Sequence, residues 1–273
     1  MQWTWNTLLT LLIAIAVPQG ALSDEPKALS IATYNICWGN VNLPLMLETI
    51  RQADADVVCL QETTARSEVL LRQQLKDVYP NIRFSGHNGP YAAERFGVLS
   101  KLRLAKYRFH WPPRRFFGFV TFSVSHNSQA VNIVNVHLAP FTLQRPRSIG
   151  QLMQQLSNTE LQHKEEIEAV IQFVDTKTPT ILAGDFNSMT GFAAPRRLQD
   201  AGFTDSFAAV TESPAKHPTW FWPLRTGTAQ LRIDYIFHSP HFQTVSSHID
   251  PANASDHRLL LSKVKLVSDH STP

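Results

Sequence analysis

Six apolar runs in this sequence begin or end with a side chain that could bind a cation, move a proton or contact a phosphate. They carry Asn35 in TYNI, Glu62 in CLQE, His137 in NVHL, Asp185 and Asn187 in GDFN, Asp234 in RIDYIF, and Asp256 and His257 in SDH. Metal-assisted hydrolysis uses carboxylate, amide and imidazole groups of this kind. Each cluster alone also fits an ordinary turn or loop, so their combination is what indicates a hydrolytic site.

The elements that must position these side chains mix two hydrophobic periods. Apolar and β-branched runs predict strands at residues 30–34, 56–60, 96–100, 116–124, 130–138, 180–184, 233–237, 242–249 and 259–266. Apolar residues at helical spacing predict helices at residues 43–53, 66–77 and 148–175. This mixture predicts a single α+β domain in which two packed sheets are covered by helices.

The order of GDFN, RIDYIF and SDH, each in its strand context, resembles the endonuclease/exonuclease/phosphatase superfamily. The resemblance covers essentially all of residues 28–266. It implies the deoxyribonuclease-I-like fold, a four-layer α/β/β/α sandwich with two packed mixed β-sheets flanked by helices. It also implies a metal-dependent phosphoric ester hydrolase, with residues 24–273 as the catalytic domain.

Glu62 is the strongest candidate metal ligand because it ends the buried run VVCLQ, which places its carboxylate at the edge of a sheet. Asn35 ends the neighbouring strand and could orient a metal ion or a phosphate. The resemblance implies Asp256 as the second carboxylate near the cation. A sparse set of oxygen ligands favours Mg²⁺, with Mn²⁺ or Ca²⁺ as alternatives.

The remaining polar residues predict the acid–base chemistry. His257 is the expected base, with Asp234 fixing its tautomer. Asp185 and Asn187 are two apart and point to one face of an extended segment, where Asn187 could bind a phosphate oxygen and Asp185 could orient the nucleophile or assist the leaving group. His137 resembles the deoxyribonuclease and sphingomyelinase branches, in which this histidine is an acid or a phosphate ligand.

The substrate is predicted from basic and aromatic residues. A turn centred between Asn127 and Ser128 would pair His137 with Gly118 and bring Arg114 and Arg115 to the same end. Trp220 and Trp222, expected in a loop, are candidate stacking residues. These features favour a nucleic acid over a phospholipid such as sphingomyelin. A catalytically inactive binding module is the third alternative, which the competent residue at every catalytic position disfavours.

The N-terminal segment predicts export. Residues 1–23 carry no charge, contain a ten-residue apolar run at residues 8–17, and end in small residues before Asp24. This pattern is typical of a secretory signal peptide and predicts a secreted or periplasmic protein; an uncleaved anchor is the alternative, since no Lys or Arg precedes the run. The formal charge of +3 mildly favours polyanionic partners. A monomer without an obligate protein partner is expected.

Overall fold

A computed structural model describes residues 27–86, 95–111, 117–141, 148–174, 177–224 and 227–267. The predicted signal segment and the arginines at positions 114 and 115 lie outside these ranges. The helices are α1 (Leu43–Ala53), α2 (Ala65–Leu75), α3 (Ile149–Ile171) and α4 (Ala193–Asp200). The strands are β1 (Leu29–Asn35), β2 (Val57–Gln61), β3 (Asn81–Gly86), β4 (Arg95–Ser100), β5 (Ala105–His110), β6 (Phe119–His126), β7 (Gln129–His137), β8 (Thr180–Asp185), β9 (Thr204–Asp205), β10 (Trp220–Leu224), β11 (Gly227–Leu231), β12 (Asp234–His238), β13 (Phe242–Ile249) and β14 (Leu260–Leu266).

Two mixed six-stranded sheets form the centre of the molecule. The first sheet has the order β13-β14-β1-β2-β4-β3, and the second has the order β5-β6-β7-β8-β12-β9. Residues of both sheets share the inner core, while α1 and α2 pack on the first sheet and α3 and α4 on the second. The predicted α+β four-layer sandwich is confirmed.

Alternation along the strands decides which side chains lie between the sheets. In β1, Ile31 joins the inner core whereas Ala32 and Tyr34 pack against the helices. In β7, Ile133 is inner and Val134 is outer. Each buried aliphatic side chain contributes roughly 1.5–3 kcal/mol, so this alternation fixes the register strongly. The polar residues two positions further along each strand must then also point between the sheets.

Strand registers decide which site residues are level with one another. The β6–β7 hairpin turns between Asn127 and Ser128 and runs from His126↔Gln129 to Phe119↔Val136, which is the register predicted. Strands β1 and β2 are parallel, and Asn35 pairs with Gln61, one residue before Glu62.

Some elements were wrongly assigned or missed from the sequence. Trp220 and Trp222 do not lie in a loop: they belong to β10, which pairs with β11 in a separate two-stranded ribbon. The pattern also missed the edge strands β3 and β5 and the short helix α4, because these have few residues in the shared core. Within the described part of the chain, none of the helices combines the length and apolarity needed to cross a membrane.

Candidate active site

Four predicted site residues are the terminal inward-facing residues of their strands. Asn35, His137 and Asp185 end β1, β7 and β8, and Asp234 begins the antiparallel β12. Asp185 is level with His137 on one side and with Asp234 on the other. The edge of the sandwich where these strands meet is called the mouth below. Strand alternation and register together therefore concentrate the polar residues at one place.

Two further site residues have a left-handed backbone. Gln61 points inward, so an extended backbone would turn Glu62 outward; instead Glu62 has φ 57° and faces the mouth. Asn187 has φ 45° rather than the extended backbone predicted, although it follows the outward-packed Phe186 and alternation alone would place it on the face of Asp185. Non-glycine residues rarely adopt this region, and such strain persists where surrounding contacts over-determine it. Here those contacts are the hydrogen bonds of the site.

A chain of hydrogen bonds and close contacts joins the acid–base residues. His257 Nδ1 donates to Asp234 Oδ2 at 2.9 Å, which confirms the predicted pairing of these two residues. His257 Nε2 then lies 3.6 Å from Asp185 Oδ2. His137 Nε2 also lies 3.6 Å from that same Asp185 oxygen. Asp185 therefore stands between two imidazoles, and all four side chains are buried.

Asn35 connects this chain to the carboxylate of Glu62. Its Nδ2 donates to Glu62 Oε1 and to Asp185 Oδ2, both at 3.0 Å, while its Oδ1 accepts from the Cys37 N–H. The Asn35 amide oxygen accepts this one hydrogen bond and keeps a second lone pair, so coordination of a cation by Asn35 stays a prediction, while its amide nitrogen orients Glu62. The Trp38 N–H donates to the other Glu62 oxygen at 3.1 Å.

Burial sets unusual protonation states in this cluster. Burial raises the pKa of Asp185 to about 7, and the Asp234 charge adds to the rise although the His257 imidazolium opposes it. Burial alone would lower the pKa of His257, but the carboxylates of Asp234 and Asp185 outweigh it and raise that pKa to about 10. Both shifts favour the proton-bound forms, so Asp234, His257 and Asp185 hold protons as one coupled group.

Several side chains at the mouth carry atoms that could coordinate a divalent cation. Asp185, Asp234 and His257 each offer a ligand atom within 4.8 Å of the others. The bond to Asp234 engages His257 Nδ1 and leaves Nε2 facing Asp185, so this trio could coordinate a cation or relay a proton. Glu62 is different: its side chain is 17% exposed, and burial together with the Asp256 charge raises its pKa. Two neighbouring carboxylates at an accessible edge fit a hard cation.

Asn187 and the glycine before Asp185 complete the floor of the site. The Asn187 N–H donates to Asp185 Oδ1 at 2.8 Å, and its Nδ2 donates to the Leu138 carbonyl at 2.9 Å. Gly184 must lack a side chain, since a Cβ there would overlap the carbonyl of Val136 on the adjacent strand. This glycine lets β7 and β8 approach closely just before His137 and Asp185.

The aromatic residues predicted to contact substrate do lie beside the acid–base residues. Trp220 forms a β-bridge with His257, and their rings are 6.5 Å apart. Trp222 stacks on Trp220 with ring centroids 6.0 Å apart and an interplanar angle of 17°. The outer ring, Trp222, is 51% exposed, so the pair offers an open stacking surface.

Sequence reasoning missed two contributors. Trp38 holds Glu62 through its backbone, which leaves its 61% exposed ring free to face solvent. Ser255 Oγ lies 2.9 Å from the Asn35 carbonyl and 3.1 Å from Asp256 Oδ1, joining the SDH loop to β1. The signals were the turn residues after Asn35 and the serine of SDH itself. Arg114 and Arg115, which are predicted to contact phosphate, lie outside the described residues.

Comparisons with known proteins agree with this geometry. The sequence model of the Endonuclease/Exonuclease/phosphatase family matches residues 32–270. A comparison with curated protein sequences gives no match. The endonuclease/exonuclease/phosphatase from Beutenbergia cavernae DSM 12333 is similar, with a TM-score of 0.67, 22% identity, and coverage of 88% of this chain and 72% of that chain.

Two other solved structures are similar over most of the chain. D. rerio TDP2 complexed with single strand DNA product has a TM-score of 0.62 and 18% identity, and covers 87% of this chain and 99% of that chain. SmcL has a TM-score of 0.63 and 14% identity, and covers 87% of this chain and 99% of that chain. At these identities the likenesses show the fold alone.

Proposed function

Because the chain belongs to the endonuclease/exonuclease/phosphatase family, we propose that it is an exported, divalent-metal-dependent phosphodiesterase that acts on DNA or RNA. The single observation that carries the hydrolytic assignment is the buried relay from Asp234 through His257 to Asp185. Buried ionisable groups with shifted pKa values are typical of acid–base sites, and the pKa values of Asp185 and His257 are both raised.

The charges assign different tasks to the two ends of this relay. The His257 imidazolium, held by Asp234, can donate to a non-bridging phosphate oxygen and stabilise charge that develops there. Asp185, with a pKa near neutrality, can accept the proton of the attacking water. In this proposal Asp185 takes the role of base that the sequence assigns to His257, because the carboxylates of Asp234 and Asp185 favour the charged form of His257. Asn187 and His137 flank the same carboxylate and would hold the phosphate in line.

Glu62 and Asp256 are the residues proposed to hold the cation, with Asn35 and the Trp38 N–H orienting Glu62. A bound divalent ion would neutralise the non-bridging oxygens of the phosphate. The donor chemistry is compatible with Mg²⁺, Mn²⁺ or Ca²⁺, because all three accept carboxylate oxygens and water.

A nucleic-acid substrate is supported by the stacked tryptophans. Stacking of a base on an aromatic ring contributes about 1–3 kcal/mol of binding free energy. Trp220 lies beside His257, and Trp222, which stacks on Trp220, has an exposed face on which a base could stack. The likeness to a TDP2 structure with single strand DNA product and the net positive charge are consistent with this substrate. Arg114 and Arg115 stay predicted phosphate contacts.

A phospholipid is the second candidate, and the β10–β11 ribbon favours it. Trp222 and Leu224 are both more than half exposed on this ribbon, and Trp111 is 64% exposed after β5. Apolar side chains presented beside a phosphodiesterase site could enter a bilayer surface.

Side-by-side assays separate these substrates. Plasmid DNA, RNA, sphingomyelin vesicles and bis-p-nitrophenyl phosphate would each be incubated with the purified protein in Mg²⁺ or EDTA. We expect EDTA-sensitive cleavage of nucleic acid, and a selective loss on DNA, relieved at low salt, in the Arg114→Ala/Arg115→Ala variant. Cleavage of vesicles alone would transfer the assignment to a phospholipid. Inactivity on every diester would refute the assignment of the protein as a hydrolase.

Export is proposed from residues 1–23 and has a separate test. The protein would be expressed with its own leader, and the N-terminus of the material outside the cytoplasm would be sequenced. Removal of the leader before Asp24 is expected. Retention of Met1 on membrane-bound protein would favour the anchor instead.

A further inference from the structure

A layer of buried amides lies directly below the mouth, between the two sheets. Asn135 is two residues before His137 on the same face of β7, and Gln61 immediately precedes Glu62 at the end of β2. Both side chains are fully buried. At ~3.3 Å per residue, Asn135 lies about 7 Å below His137 along the strand.

This layer crosses from one sheet to the other. Gln61 Nε2 donates to Asn135 Oδ1 at 2.7 Å. Asn135 Nδ2 donates to the carbonyls of Leu60 and Gly97, on β2 and β4, at 3.0 and 3.1 Å. Three hydrogen bonds therefore fasten β7, which carries His137, to the first sheet: two reach β2, the strand that precedes Glu62, and one reaches β4.

Stability alone does not account for three buried amide hydrogen bonds in an apolar inter-sheet core. Each contributes a net of only about 0.5–1.5 kcal/mol, and replacing both partners by apolar groups of the same shape can be neutral. Polar pairs in a core do specify one arrangement over others, because a slip would leave buried donors without acceptors. The next inward side chains away from the mouth, Cys59 and Ile133, are apolar and provide no hydrogen bond of this kind.

The site needs this specification because it is divided between the sheets. Glu62 and Asn35 come from the first sheet, and His137 and Asp185 from the second. His137 Nε2 lies 3.9 Å from Glu62 Oε1 across that division. A sliding or separation of the sheets by 1 Å would change this distance directly, and such misplacement can cost about 100-fold in rate.

We propose that Asn135, with Gln61, is a positioning residue that sets the spacing between Glu62 and His137. The proposal rests on the proposed hydrolytic function of that site. It assigns no contact between Asn135 and the substrate.

The test compares two asparagines on one strand. Asn135→Leu keeps the approximate volume and removes all three hydrogen bonds. Asn132→Leu is the matched control: Asn132 lies three residues earlier in β7 and donates to Thr178 Oγ1 at 2.9 Å, at the end remote from the mouth. We expect kcat on bis-p-nitrophenyl phosphate to fall about 10- to 100-fold in the first variant and less than about 2-fold in the second.

A measurement on the metal-free, substrate-free protein distinguishes positioning from a general loss of structure. The imidazole NMR resonances of His137, assigned by their loss in His137→Gln, should shift in Asn135→Leu and stay in place in Asn132→Leu. Gln61→Leu is the second variant if Asn135→Leu does not fold: it keeps the Asn135 bonds to the Leu60 and Gly97 carbonyls and removes the Gln61 bonds to Asn135, Thr33 and the Cys59 carbonyl. It should also shift the His137 resonances.

Unchanged His137 resonances with kcat within 2-fold of the control would overturn the proposal, whatever the change in melting temperature. If the wild-type protein cleaves no diester, the proposed function fails. The resonance shift still tests whether the amide layer positions His137.

Discussion

Replacing Glu166 by Gln should stabilise the protein above pH 7 and leave it unchanged near pH 4.5. Glu166 lies on the inner face of α3, and its side chain is almost fully buried. Its Oε2 accepts from the Ala139 N–H at 3.0 Å, and its Oε1 accepts from Gln162 Nε2 at 3.1 Å. A glutamine at this position keeps an oxygen for Ala139 and removes the titration.

The magnitude follows from the pKa. Burial raises the pKa of Glu166 from its ordinary value of 4.5 to about 7, although the Ala139 hydrogen bond and the His163 charge oppose the rise. Between these two values the folded protein keeps a proton that the unfolded chain releases, so stability falls as pH rises through that window. A rise of roughly 2.5 pKa units corresponds to about 3 kcal/mol, which is an upper limit on the gain for the amide. At roughly 2–4 °C per kcal/mol, the melting temperature should rise by several degrees at pH 8.

Thermal unfolding in EDTA at pH 4.5, 6 and 8 would measure this difference. Glu165→Gln is the matched control, because Glu165 is the exposed neighbour on the same helix and should change stability by less than about 0.5 kcal/mol. A Glu166→Gln protein that is less stable than wild type at pH 8 would contradict the reasoning. So would a difference between the two proteins that does not vary with pH.

Three further predictions concern the site. Glu62→Gln should lower activity by orders of magnitude while the fold survives, since the charge proposed to hold the cation is lost; near wild-type turnover at low Mg²⁺ would refute the assignment. Alanine at both Asp234 and His257 should be scarcely slower than the worse single variant, because members of one relay are non-additive, and losses that multiply would disprove the unit. Cys37 and Cys59 are free thiols in the structure. Cys59 is level with Thr33, four residues before Cys37, so the two lie roughly 13 Å apart along the strand, beyond the ~7 Å limit for a disulfide. Titration in denaturant should find two thiols, and none in a monomer would contradict the register.

The sequence predicts those parts of the fold that depend on a local pattern. Strand alternation shows which side chains share a face, as it does for Ile31, Thr33 and Asn35 in β1 and for Ile133, Asn135 and His137 in β7. A polar residue that ends an apolar inward row must lie at the edge of the core. The hairpin register followed in the same way from a short turn between two regular runs.

The stacking ribbon and the orientation of Glu62 did not follow from such patterns. The WFWPL segment has no alternation of buried and exposed residues, and it pairs only with β11 outside both sheets. The direction of Glu62 depends on its own left-handed backbone, and the hydrogen bonds that hold it come from Asn35 at the end of β1 and from Trp38 in the turn after β1.

By itself, the sequence determined the residue types of the site, the faces they occupy and the family to which they belong, because these depend on spacing along one chain segment. Only the tertiary structure decided the pKa values of the site residues and the distances between their side chains. Asp185 and Asn35 are 150 residues apart in sequence yet hydrogen-bonded, and burial between the two sheets raises the pKa of Asp185 to about 7. Desolvation and Coulomb interactions depend on what surrounds a group in space, and that surrounding exists only when both sheets have packed.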